Sequence, residues 1–160
     1  MTSFESRFFS DPSPARLLAD MHSPCFPTPW NEQDFRQLLT VPGTIAQIIE
    51  TGGPDPRPVA FGVYRVCIDE AEILTLGVLP GNRGTGAGDF MLLSALGYLR
   101  QQQAETLFLE VSETNIPAQN LYLRRGFSII GRRKNYYRED GQPVNALIME
   151  RKTGQPETGA

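Results

Sequence analysis

Histidine and tryptophan occur once each in the 160 residues, and cysteine twice. The single histidine, His22, excludes a multi-histidine metal site and any triad built on a separate histidine base. Cys25 and Cys67 lack metal-ligand spacing and are too few for a disulfide framework, so they read as reduced thiols of a cytoplasmic protein. No apolar run approaches the roughly 18 residues of a membrane span. The N-terminal MTSFESRFFSDPSPAR lacks the basic-then-apolar order of a secretory leader. Neither sign of charge dominates: 15 Lys and Arg against 18 Asp and Glu give −3, which excludes a globally basic nucleic-acid binder. Internal repeats and low-complexity tracts are absent. A soluble intracellular domain with one core is the class that remains.

What is present is turn chemistry, with 15 Gly and 13 Pro. Prolines punctuate the first 43 residues, between which Ala15–His22 and Asn31–Leu39 read as short helices, the second capped by Asn31. From Thr44 the texture turns β-branched and aromatic. Thr44–Glu50 and Val59–Val66 flank Gly-Gly-Pro-Asp-Pro at 52–56, and a third strand, Glu72–Leu79, follows the acidic turn at Asp69-Glu70. A helix then runs to about Gln103, with Leu92, Ala95, Leu96 and Leu99 on one face. Thr106–Val111 alternates as a strand, Leu107, Leu109 and Val111 to one side and Glu110 to the other. A short helix follows Asn115 and stops at Gly126, and Phe127–Arg133 and Val144–Glu150 pair across Asp140-Gly141. The expected order is α-α-β-β-β-α-β-α-β-β with room for an extra N-terminal strand. That is an α/β fold with a mixed sheet, one domain over 1–150 and a flexible tail over 151–160.

The junction Pro80–Gly88 carries the most chemistry. Gly84, Gly86 and Gly88 strip side chains from the start of a helix, where open N–H groups and the helix dipole favour an anion, and Arg83 adds a cation. A diphosphate is the natural guest; a tight turn needing positive φ is the alternative reading. A Walker loop would need a lysine that this segment lacks. A Rossmann fingerprint would open the first βαβ unit, whereas this loop follows a run of antiparallel strands.

Arg83-x-x-Gly86-x-Gly88 resembles the coenzyme A pyrophosphate loop of the GCN5-related N-acetyltransferase (GNAT) superfamily, whose element order matches the one above. The resemblance implies acetyl-CoA as acetyl donor and no metal. It implies a cofactor site of Leu76, Gly77 and Val78 on the preceding strand, Arg83, Gly84, Thr85, Gly86, Ala87, Gly88 and Asp89 at the loop, and Asn115, which capping alone would also explain. Asp89 stands where family members often carry a basic residue, and a carboxylate there is expected to repel a pyrophosphate. Leu-Glu-Val-x-x-x-Asn at 109–115, Leu121-Tyr122, Gly126-Phe127 and Asn135-Tyr136-Tyr137 are similar to the bacterial ribosomal-protein alanine N-acetyltransferases (RimI type). The likeness spans about residues 20–150.

That resemblance implies acetylation of a protein or peptide N-terminal α-amine, by direct transfer, with Glu110 as general base and Tyr122 as general acid. A solvent-facing carboxylate and a core tyrosine are the alternative readings of those two residues. Glu72, eleven positions before Arg83, is a rival base at the offset used by lysine-directed relatives. The other functions weighed are a GNAT enzyme acting on lysine or a small amine, and a non-catalytic CoA-binding module. Tyr136 and Tyr137 either wall a peptide groove or pack on the sheet. Six of the fifteen basic residues fall within 124–138 and read first as a solvated face, with no nucleic-acid or membrane partner expected. His22 is assigned no role.

Overall fold

The structure is a computed structural model and describes residues 3–157. Seven strands form one sheet in the order β1-β2-β3-β4-β5-β7-β6. They are β1 (Phe4–Phe9), β2 (Thr44–Thr51), β3 (Pro58–Cys67), β4 (Glu70–Val78), β5 (Thr106–Ser112), β6 (Ser128–Glu139) and β7 (Gln142–Lys152). The extra N-terminal strand is thus present, as β1 antiparallel to β2. Helices α1 (Ala15–His22) and α2 (Glu32–Thr40) cover one face; α3 (Ala87–Gln101) and α4 (Ile116–Arg124) cover the other.

Each face follows from pattern. Leu18, Phe35 and Leu39 of α1 and α2 pack on Ala46, Ile48, Phe61 and Val63. On the opposite face Leu92, Leu96 and Leu99 of α3 meet Tyr64, Ile73, Leu107, Leu109 and Met149. Side chains of this size each contribute roughly 1.5–3 kcal/mol when fully buried. Helix α2 starts in a capping box: the Asp34 N–H donates to Asn31 Oδ1 and the Asn31 N–H to Asp34 Oδ2, both at 2.9 Å.

Two irregularities shape the site. Among the described residues the only parallel contact in the sheet, β4 with β5, pairs Glu70–Glu72 with Thr106–Phe108 and goes no further, so beyond it the strands part. On β4, Thr75 pairs with Val63 but Ile73 with Tyr64, leaving Leu74 as a bulge. The bulge re-aims the strand. Ala71 and Ile73 face α3, whereas Thr75 reaches His22 on the α1 side.

The C-terminal segment differs from the flexible tail expected over 151–160. Strand β7 continues to Lys152, and Arg151 is 3% exposed. Arg151 Nη1 donates to Glu157 Oε1 and to the Arg125 carbonyl, each at 2.7 Å, and Thr153 Oγ1 donates to the Ala104 carbonyl at 2.7 Å. A polar tail with partners for its charges packs as well as an apolar one; residues 158–160 lie outside the described residues. The last hairpin is also longer than expected, closing through Asp140 and Gly141, both at positive φ as a two-residue hairpin turn requires.

Candidate active site

The divergence of β4 and β5 opens a cleft of about 980 Å³ that runs through the sheet. At one end stands the glycine loop. Gly86, at φ +92°, ends the loop as the N-cap of α3, a backbone conformation that suits glycine. No side chain caps the helix there, and an added Cβ at Gly84 or Gly86 would meet nothing within 4 Å. The first turn of this 15-residue helix thus lacks a side-chain cap for its N–H donors and adjoins the cleft through Gly86, Gly88 and Asp89. Those uncapped donors fit a phosphate-bearing group.

Leu76, Gly77, Val78, Arg83, Gly84, Gly86, Gly88, Asp89 and Asn115 all line the cleft; Thr85 and Ala87 do not. Ala87 is buried beneath its helix, and Thr85 Oγ1 donates to the Asn82 carbonyl at 2.6 Å, bracing the loop from outside. Arg83 turns back to donate from Nε to the Val78 carbonyl at 3.2 Å. Gly77 has a packing reason: a Cβ there would sit 2.7 Å from Phe61 Cζ. Asn115 caps α4, its Oδ1 accepting from the Ala118 N–H at 3.2 Å.

Asp89, the carboxylate expected to repel a pyrophosphate, does not stand alone. Arg124 donates to it through Nε and Nη2, both at 3.1 Å, and Arg125 Nε lies 2.8 Å away. Partial burial works against the charge, yet the two guanidiniums hold the Asp89 carboxyl below its ordinary value. Arg125 is shared with Glu157 at 3.3 Å, and of the two guanidiniums Arg124 lines the cleft.

The other end gathers the acid–base groups. Glu110 projects from β5 away from Leu109 and Val111 into the cleft, paired with Arg133 Nε at 2.9 Å. Tyr122 of α4 and Tyr137 of β6 line the same space. Burial, with Tyr137 adding to it, pushes the Tyr122 phenol well above its usual range. Burial and then the Glu110 carboxylate raise Tyr137 in the same direction. Glu72 lies outside this group, exposed on the closed part of the β4–β5 ladder.

The β6–β7 hairpin is tied over the end of β5: Ser112 Oγ and Thr114 Oγ1 each donate to Glu139 at 2.6 Å. Register slips between Arg133 and Tyr137, so Lys134, Asn135 and Tyr136 protrude, with Tyr136 half-exposed. The basic stretch 124–138 is no continuous patch, since Arg124 and Arg125 face Asp89, Arg133 faces Glu110 and Arg132 lies 3.9 Å from Glu113.

Residues 15–127 match the family described as "Acetyltransferase (GNAT) family". The chain belongs to that family. It is an N-acetyltransferase by fold and by kinship. A Bacillus subtilis protein provisionally named as a [ribosomal protein bS18]-alanine N-acetyltransferase is 32% identical over 131 residues, 81% of this chain and 83% of its own. The Escherichia coli K12 [ribosomal protein bS18]-alanine N-acetyltransferase is 30% identical over 121 residues, 76% of this chain and 79% of its own. The crystal structure of the Escherichia coli enzyme superposes with a TM-score of 0.80 at 25% identity, covering 98% of this chain and 96% of that one.

Sequence reasoning missed several members of this acetyltransferase's cleft. His22 enters it from the end of α1, Cys25, Thr28 and Trp30 from the α1–α2 connection, Thr75 from β4 and Arg124 from α4. No local motif marks them, because each is brought in by packing between segments tens of residues apart.

Proposed function

We propose that this acetyltransferase acts in the cytoplasm on the N-terminal α-amine of a ribosomal protein, one that begins with alanine, and takes its acetyl group from acetyl-CoA by direct transfer. One observation carries the reading: a single cleft joins an uncapped helix N-terminus at one end to Glu110, Tyr122 and Tyr137 at the other. The relatives named above supply the acceptor class.

Bound acetyl-CoA supplies an activated acetyl thioester. The α3 N-terminus, Arg83 and the Asp89-held Arg124 would hold its phosphates, and the edge of β4 from Leu76 to Val78, with Asn115, would hold its arm. An α-amine at neutral pH is mostly protonated and has to lose that proton before it can attack. Glu110 accepts it, directly or through one water, while Arg133 fixes the carboxylate's rotamer and leaves its second oxygen available. Tyr122 stays a neutral phenol because burial disfavours its anion, so it keeps the proton that a departing thiolate would take. Tyr137 and the protruding Tyr136 flank the acceptor peptide. Cys25 and Cys67 take no covalent part.

A thiol-release assay tests the reading. Acetyl-CoA is offered with Ala-initiated peptides that contain an internal lysine, with the α-amine either free or blocked. Release with the free peptide alone is expected. Equal rates on both peptides would move the acceptor to lysine, and saturable acetyl-CoA binding without release across the panel would remove the enzyme reading.

A further inference from the structure

The single histidine is buried at the acceptor side of the cleft with both ring nitrogens engaged. The Trp30 backbone N–H donates to His22 Nδ1 at 3.1 Å. That nitrogen is an acceptor, so the ring's one proton sits on Nε2. His22 Nε2 lies 3.0 Å from Thr75 Oγ1, a contact in which the ring therefore donates and the hydroxyl accepts. The ring has no freedom to turn over. It is stacked against Phe26 at 4.1 Å and Trp30 at 5.0 Å, 2% exposed, and a flip would set the Cδ2–H against the Trp30 N–H and lose both hydrogen bonds. Burial also pushes the imidazole down to about 4, which keeps it neutral under working conditions.

This leaves the proton of the Thr75 hydroxyl without a partner. Among the described residues the Thr75 side chain makes no other hydrogen bond. Thr75 is 8% exposed, and what exposure it has is to the cleft. The Leu74 bulge turns it toward the α1 face, the same face to which Glu110 points from β5, so the two stand on opposite lips of the split. A donor with no acceptor in a nearly buried site calls for one from the ligand. An attacking amine cannot serve, because its lone pair is needed for the new bond. The substrates offer two carbonyl oxygens, one on the thioester and one on the first peptide residue.

We propose that His22 holds Thr75 as a dedicated hydrogen-bond donor to a substrate carbonyl oxygen, with Thr75 touching substrate and His22 as its positioning residue. The inference rests on the acetyl-transfer reading above and extends it to the lip opposite Glu110.

Two measurements test it. Because His22 is the only histidine, the imidazole nitrogen spectrum of the tag-free, ¹⁵N-labelled protein reports on that one ring. At pH 7 an unprotonated Nδ1 and a protonated Nε2 are expected; the reverse tautomer or an imidazolium would overturn the proposal without any substrate present. In kinetics with acetyl-CoA and an Ala-initiated peptide, Thr75→Val, close to isosteric, is expected to lose about tenfold to a hundredfold in kcat/KM. Thr75→Ser should restore it to within about threefold, and His22→Phe, which keeps the ring stack and loses both hydrogen bonds, should fall between. A loss confined to kcat assigns the thioester oxygen, and one confined to the peptide KM assigns the peptide carbonyl. Unchanged kcat/KM in a folded Thr75→Val overturns the proposal while the acetyl-transfer reading stands. A wild-type protein that transfers no acetyl group removes that reading and the carbonyl assignment together, whatever the imidazole spectrum shows.

Discussion

The two ends of the cleft are made from different materials. The loop end is almost entirely backbone from one stretch, residues 76–89, in which a strand edge runs into glycines and an uncapped helix. The reaction end is side chains drawn from distant segments: Glu110 with Arg133, Tyr122 beside Tyr137, and His22 with Thr75 at a separation of 53 residues. Backbone donors survive most substitutions, since every residue but proline carries one. Side-chain constellations depend on the packing of every element that contributes. The loop end should therefore tolerate change in side chains, and the reaction end should fail one residue at a time.

The largest contrast is expected at the two candidate bases. Glu110→Gln should lower kcat by about a hundredfold to a thousandfold, in the range for loss of a general base, with acetyl-CoA binding unaltered by calorimetry. Glu72→Gln should leave both quantities within about twofold, because Glu72 lies outside the cleft. A Glu72→Gln loss as deep as that of Glu110→Gln would shift the chemistry to the closed part of the ladder and break the division between the two ends.

A smaller effect follows from the way the reaction end is packed. The folded value of His22, about 4, lies below the ordinary 6.5 of imidazole, with burial as the cause. In that window the unfolded chain binds the proton and the folded one does not. The corresponding stability is full above pH 6.5 and is lost as pH falls toward 4, on the order of 3 kcal/mol in total. Carboxylates held below their usual values, Asp89 among them, also lose stability toward acid, so the informative quantity is the difference between two proteins. Urea unfolding of wild type and His22→Phe at pH 7.5, 5.5 and 4.5 should show profiles that converge toward acid, with the variant flatter. Parallel profiles would mean that the ring is not buried neutral.

The same division explains what could be read from sequence. The strand–loop–helix order, the helix after Asn115 and the placement of Glu110 opposite Leu109 follow from periodicity and caps, which act over a few residues. The glycine loop was legible because each of its glycines answers to local backbone conformation or close approach. By contrast, the Leu74 bulge leaves no mark in Ile-Leu-Thr-Leu, yet it decides that Thr75 faces His22. The ordered segment 151–157 was hidden for a similar reason: its partners, Arg125 and Ala104, lie at least 26 residues upstream. Within the cofactor set that the resemblance implies, Thr85 and Ala87 do not line the cleft, a matter of packing that the loop's motif does not show.

Asp89 is, with Arg83, a place where the loop end does use side chains, and it yields the smallest expected effect. A carboxylate in the first turn of α3 suits the helix dipole and opposes a phosphate, so by itself it should weaken cofactor binding. Held by Arg124 and Arg125, it instead anchors the Arg124 guanidinium at the cleft. Arg124 is half-exposed, which limits what its charge is worth. Arg124→Ala should weaken CoA binding by about threefold to tenfold at low salt, and the difference should shrink at high salt as screening grows. Asp89→Ala should change affinity by less than about threefold, since it removes a repelling charge and releases the guanidiniums at once. Tighter binding by more than about tenfold in Asp89→Ala would show that the carboxylate acts as a repeller after all, and that the ion pairs do not hold in solution. Repeating the titration with 3′-dephospho-CoA separates the phosphates. A retained Arg124→Ala penalty places the guanidinium on the pyrophosphate, beside the backbone donors of α3, and a vanished one places it on the ribose phosphate.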